Sequence, residues 1–294
     1  MRLIDVSTLR VVNVRDDEVP EYAILSHTWG TEEEEVTFQE MIAYAEIPAK
    51  VKRKASLPAA ALLQRKKGFV KIVRAAEKAK EYNLDYIWID TCCIDKTSSA
   101  ELSEAINSMY RWYQQANICF ALLSDVSIQS LNSNSSVEVA LGNSRWFTRG
   151  WTLQELIAPF QVTFFDMNWN PLGSKEDSRL CEIIRGITRI DIDVLRGSVP
   201  LQDVSVARRM EYASRRQTTR PEDMAYCLLG LFNVHLPLLY GEGNRAFLRL
   251  QEEILKEILH LRLTTFIPSN VPLVGVLATA PTSFTLQWPS RLGS

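Results

Sequence analysis

The sequence predicts an α/β protein: a mostly parallel sheet flanked by helices, with a packed C-terminal helical half. Two observations carry this. Between residues 22 and 168, four short β-rich or apolar runs alternate with stretches of helical spacing. Beyond residue 170 the strand signals stop and helical patterns succeed one another. Strands alternating with helices build parallel sheets with right-handed crossovers.

Each element has its own reason. "YAILSHTW" (22–29) is a β-rich run stopped by Gly30. "GFVKIVRAAEKAKEYN" (68–83) puts Phe69, Ile72, Val73, Ala76 and Ala79 on one stripe, the spacing of an amphipathic helix. "YIWIDTCC" (86–93) is almost continuously apolar, as expected of a strand covered on both faces. A helix over 98–116 opens at Ser99 and buries Leu102, Ala105, Ile106, Met109, Tyr113 and Ala116. "ICFALLSDV" (118–126) is a third strand, 127–143 a polar loop, 149–158 a short helix and "QVTFFDMN" (161–168) a fourth strand. Helices are predicted over 174–190, 205–217, 221–234 and 244–259, with "GEG" (241–243) as a turn before the last. The expected division is 1–170 for the α/β core, 171–260 for the helical half and 261–294 for an extended tail.

Composition narrows the function. The chain has 294 residues, 46% hydrophobic and 23% charged, with a formal net charge of −2. No overall bias toward nucleic acid or an anionic membrane comes from that balance. Residues 263–290 carry no charge, but four prolines and many hydroxyl and amide side chains argue against a membrane span. The five cysteines, at 92, 93, 119, 181 and 227, are odd in number and contain no C-x-x-C pair. They suggest a reducing, cytoplasmic setting and no metal site. Basic clusters at 49–68 and 207–220 and the acidic "TEEEE" (31–35) read as solvated surface.

Open parallel sheets bind ligands outside the carboxyl ends of their strands. That rule selects Ser26, His27, Trp29, Asp90, Cys92 and Asp125. On the helix that begins near the same rim, Trp151 and Glu155 are four residues apart and share a face away from Leu153, Leu156 and Ile157. By spacing alone the pair suits packing better than a pocket wall. Ser26 and His27, adjacent on a strand, face opposite ways. A Cys–His hydrolase using Cys92 or Cys93 with His27 and Asp90 is a further arrangement. A buried cysteine is more often an inert small hydrophobe. His235 and His260 fit structural positions, and "YGEGNRAF" (240–247) offers backbone N–H groups to an anion or a plain turn.

Several long motifs carry a resemblance. "LSHTWG" (25–30), "YIWIDTCCIDK" (86–96), "SRWFTRGWTLQELIAP" (144–159), "RPEDMAYCLLGLF" (220–232) and "LLYGEGNRAFLRLQEEI" (238–254) resemble, in order, the motifs of the fungal heterokaryon-incompatibility (HET) domain. The resemblance implies a cytoplasmic effector whose activation triggers programmed cell death, downstream of a non-self sensor. "YAILSHTW" and "GWTLQEL" are also distantly similar to Toll/interleukin-receptor (TIR) domains, whose sheet is flavodoxin-like and whose tryptophan precedes a glutamate by four. In enzymatic TIR domains that glutamate cleaves NAD, so the resemblance implies Glu155 as catalytic residue and Trp151 beside it. Ser26, His27, Trp29 and Asp90 would then line the opposite rim, and Arg145 and Arg149 would meet the pyrophosphate. NAD is expected as substrate, with no separate cofactor, and a homo-oligomer on activation. Neither a membrane nor nucleic acid is expected as partner. The alternative is a non-enzymatic self-associating module, with Trp146 and Trp151 as interface anchors.

Overall fold

The first strand read from the sequence is the third in the chain. The computed structural model describes residues 1–47, 58–128 and 137–265; for 58–60 and 260–265 only the backbone is considered. The centre of the basic cluster, part of the polar loop, the His260 side chain and the tail from 266 lie outside the described residues.

In chain order the α/β half contains β1 (Arg2–Asp5), β2 (Val11–Asn13), β3 (Ala23–His27), α1 (Phe38–Glu46), α2 (Pro58–Arg65) and α3 (Lys67–Glu81). It continues with β4 (Tyr86–Trp88), α4 (Asp90–Cys93), α5 (Ser99–Gln115), β5 (Ile118–Leu122) and α6 (Val137–Gly142). A 3-10 turn (Arg145–Thr148) leads into α7 (Thr152–Ile157), β6 (Val162–Phe165) and β7 (Pro171–Ser174). The remaining helices are α8 (Ser178–Thr188), α9 (Ile192–Leu195), α10 (Val206–Ala213), α11 (Asp223–Tyr226), α12 (Leu229–Phe232) and α13 (Arg245–Thr265).

The seven-stranded sheet has the order β2-β1-β4-β3-β5-β6-β7. Its central block, β4-β3-β5-β6, is parallel, and antiparallel pairings extend both edges. Every residue of β3 and β5 is buried, which explains their almost unbroken apolar sequence. Within the parallel block the order reverses between β3 and β5, so the crevice at that switch point is where a ligand site belongs.

Several expectations need correction. Strands β1, β2 and β7 were missed because they are short and mix apolar with polar residues. The run 86–93 is a strand only to Trp88, and Asp90–Cys93 coils into a helical turn. An apolar run does not by itself separate a strand from a buried helix. The stretch 221–234 forms two short helices instead of one, and α10 ends at Ala213. The last helix continues to Thr265, past the expected start of the tail.

The segment between α10 and α11 shapes the site. The Gln217 amide donates to Thr148 O at 2.7 Å, and the Gly150 amide donates to Gln217 O at 2.8 Å. The helical half thereby adds an extended segment to the backbone that enters α7. Gly150 allows this: a Cβ there would sit 2.5 Å from Thr218 Cγ2. Gly230 serves a similar purpose where α12 crosses α5, since its Cβ would fall 2.0 Å from Tyr110 Cβ. One continuous cluster of buried side chains runs from Leu3 to Ile254 through both halves. Among the described residues no helix is long and apolar enough to cross a membrane.

Candidate functional site

The site is built where β3 ends. Successive strand residues point to opposite faces, so Ser26 and His27 open two different environments. On one side the Ser26 hydroxyl donates to Glu155 Oε2, a hydrogen bond from β3 to α7. The Trp146 indole N–H donates to Ser26 Oγ at 2.8 Å. Trp146 is fully buried between Phe147 and Phe164. Below, the Tyr113 hydroxyl donates to Leu25 O at 3.0 Å, close enough to Glu155 to feel its charge.

Glu155 is 6% exposed. Burial pushes its carboxyl up to about 8, Asp90 adding to the effect while the Ser26 hydrogen bond, Arg149 and Arg216 oppose it. The group is therefore mostly protonated at neutral pH. Its helix is buried along its whole length, so the Trp151–Glu155 face set apart from Leu153, Leu156 and Ile157 is covered as well. Trp151 precedes the helix, half-buried, beside the Asp223 side chain of the helical half. Covering of α7 by the C-terminal half, invisible in local spacing, is the physical reason.

On the other side lies His27, 6% exposed, with neither ring nitrogen hydrogen-bonded among the described residues. Its Nδ1 is 3.9 Å from Asp90 Oδ1 and its Nε2 is 3.9 Å from Glu35 Oε2, too far for hydrogen bonds. Burial, together with Lys71, Lys96 and Arg149, holds the imidazole well below its ordinary value. A neutral ring makes neither contact an ion pair. Burial raises the Asp90 carboxyl, whose Oδ2 accepts from the Trp29 indole at 2.8 Å. The Trp29 ring is exposed, with the Lys96 ammonium 3.7 Å from its centroid. Glu35 is held by Lys71 at 2.6 Å and accepts from the Gly30 amide at 2.7 Å.

Arg145 and Arg149 bound the site above. The Arg145 guanidinium reaches Trp29 O at 3.4 Å and Ser124 Oγ at 3.5 Å, while Ser124 and Thr28 hydroxyls meet at 3.0 Å across the switch point. The charge of Arg149 acts on both His27 and Glu155. Ser26, His27, Trp29, Asp90, Arg145, Arg149 and Glu155 thus gather at one sheet end, and Trp151 turns toward the helical half.

Several residues were missed. Glu35 sits in the acidic loop read as solvated surface, yet it closes the His27 side. Arg216 is buried, donates to Arg149 O at 2.9 Å and Thr152 Oγ1 at 2.8 Å, and is pushed down to about 10, foremost by burial. Lys71 and Lys96 come from helix and loop positions without a local signal. Other candidates fall away. Burial raises the Cys92 thiol well above its usual range, so a nucleophilic thiolate is disfavoured. The backbone N–H groups of Gly241 and Gly243 are taken by Glu222 Oε1 at 2.8 and 2.9 Å, so the chain supplies its own anion there. His235 is exposed beyond α12 instead of structural within a helix.

No solved structure matches the chain. The family profile described as "Heterokaryon incompatibility protein (HET)" matches residues 22–138. Over 243 residues the chain is 46% identical to "Vegetative incompatibility protein HET-E-1" of Podospora anserina, covering 82% of this chain and 16% of that protein. This chain therefore corresponds to a small part of that relative's length. The β3 end, the α7 motif and the long match together identify the chain as a member of the heterokaryon-incompatibility (HET) family.

Proposed function

We propose that the chain acts as a cell-death effector in vegetative incompatibility and does so by hydrolysing NAD at the nicotinamide–ribose bond. The observation that carries this reading is Glu155: a buried carboxyl at the switch point of a parallel sheet, held by a serine hydroxyl. In the proposed reaction the C1′–N bond breaks and its electron pair leaves with neutral nicotinamide. Water adds its oxygen to C1′ and loses a proton, giving ADP-ribose. The developing oxocarbenium charge is what a carboxylate stabilises. The cationic nicotinamide ring would also lower the Glu155 carboxyl from its resting value and drive its ionisation.

The enclosure of Glu155 fits a resting form, in which self-association opens the approach past Arg149 and Arg216. Buried Trp146 cannot serve as an exposed interface anchor, which weakens the adaptor alternative. That alternative keeps one favourable observation: Ser26, Trp146 and Glu155 form a closed network of a kind that also serves stability alone. Purified protein incubated with NAD, with and without forced oligomerisation, separates the two. The enzyme reading expects nicotinamide release that Glu155→Gln abolishes. Absence of turnover in every oligomeric state, with cell killing that survives Glu155→Gln, would favour the adaptor.

A further inference from the structure

A cavity lies away from the Glu155 carboxyl, on the other flank of its helix. It is a cleft of about 860 Å³ between α5, the end of α7 and α12. That is the size of a pocket for a small organic ligand. Among the described residues lining it none is acidic, whereas Arg111, Lys175 and Arg209 are cationic. In a chain of net charge −2, such one-sided lining is a departure from the average surface.

The cations are not used up by internal pairing. Lys175 is 2% exposed, and its ammonium donates to Leu156 O at 3.2 Å and to Pro159 O, leaving one of three donors. Arg209 donates from Nη1 to Leu231 O at 2.7 Å, while its buried Nε has no hydrogen-bond partner among the described residues. Arg111 has Asp16 at 3.8 Å, on an exposed side. Burial lowers both Lys175, to about 8, and Arg209, so an added anion would relieve an unfavourable desolvation. Apolar and flat surfaces complete the cleft: Ile157, Val194, Leu231, the Tyr110 ring and the exposed Phe160 ring.

We propose that this cleft is a binding site for a phosphate ester carrying a flat aromatic ring, such as a mononucleotide. Guanidinium forks suit phosphate oxygens, and the rings offer faces for a base. The site also touches α7 mechanically. Lys175 holds the carbonyls at the end of the helix that carries Glu155, so a phosphate competing for that ammonium would loosen the helix end.

The test is calorimetric titration of the full chain with AMP, with adenosine and with inorganic phosphate. AMP is expected to bind saturably, adenosine about tenfold or more weakly, and affinity to fall with added salt. Arg111→Glu changes an exposed side chain and is expected to weaken AMP about tenfold, with the melting temperature of the free protein unchanged. The double variant Arg111→Glu/Arg209→Gln is expected to abolish saturation. Absence of saturable AMP binding, adenosine binding as tightly as AMP, or full affinity in the double variant overturns the proposal. These readouts do not depend on turnover at Glu155.

Discussion

The two sides of the end of β3 differ more than their adjacency suggests. On the Ser26 side the serine hydroxyl, the Trp146 indole N–H, Glu155 Oε2 and the Tyr113 hydroxyl all have partners, in a cluster sealed by the two rings. On the His27 side three buried polar atoms, His27 Nδ1, His27 Nε2 and Asp90 Oδ1, have none among the described residues. A satisfied network fixes geometry, whereas unpaired buried polar groups carry a desolvation cost that folding alone does not recover. The contrast makes the first side a fixed network and leaves the second with buried polar groups unpaired among the described residues, while Asp90 carries its influence across to Glu155.

The largest expected effect tests whether Glu155 belongs to chemistry as well as to the network. Glu155→Gln keeps shape and hydrogen-bonding capacity, and the amide resembles the protonated acid. Nicotinamide release is expected to fall about 10²- to 10³-fold or more, with the unfolding midpoint in denaturant near wild type at pH 7. A clear loss of stability with full turnover would leave Glu155 a member of the network only.

Next in size is the stability contrast between neighbours. Ser26→Ala leaves the Trp146 indole N–H buried without its acceptor, at a cost of about 1–3 kcal/mol. His27→Leu removes a ring whose nitrogens have no hydrogen-bond partner among the described residues, and is expected to change stability by less than about 1 kcal/mol. Chemical denaturation of both variants checks this. Equal losses would erase the distinction between the two sides.

The two sides also titrate with opposite sign. The Glu155 carboxyl lies at about 8 in the fold against an ordinary 4.5, so the native state holds a proton the unfolded chain releases. Stability from this group is full below about pH 4.5 and declines up to about pH 8. His27 is depressed well below 6.5, so the unfolded chain takes up the proton first and stability falls as pH drops below 6.5. The effects oppose each other under acid and separate above pH 6.5, where the Glu155 contribution declines at no more than about 1.4 kcal/mol per pH unit. Denaturation across pH 6.5 to 8 is expected to show that decline in the wild type, and a flatter profile in Glu155→Gln.

How much of the fold and the site was legible depends on where each signal lives. The parallel block was readable because β3 and β5 are buried on both faces and say so in consecutive residues. Glu155 was readable as a motif position, and the opposite facing of Ser26 and His27 as simple alternation. Arg216 was not: it stands beside Arg215, and only the fold decides that 216 is buried and 215 exposed. Glu35 was hidden in a run of four glutamates that looks solvated, because its partner Lys71, 36 residues away, reaches it only through the tertiary fold. What covers the Trp151–Glu155 face was not legible, because a helical wheel does not know that the C-terminal half packs over it.

The smallest expected effect concerns the rim. Trp29→Phe keeps an aromatic face for Lys96 but removes the N–H that Asp90 Oδ2 accepts at 2.8 Å. The site is exposed at the indole, so water replaces much of that bond and the loss is expected at about 0.5–1 kcal/mol. If the His27 side exists to meet a ligand, the same change should weaken substrate more than it weakens the fold. A rise in KM for NAD of several-fold, with kcat and the melting temperature nearly unchanged, is the expected pattern. An equal fall in stability with KM untouched would return Trp29, and with it the His27 side, to a purely structural role.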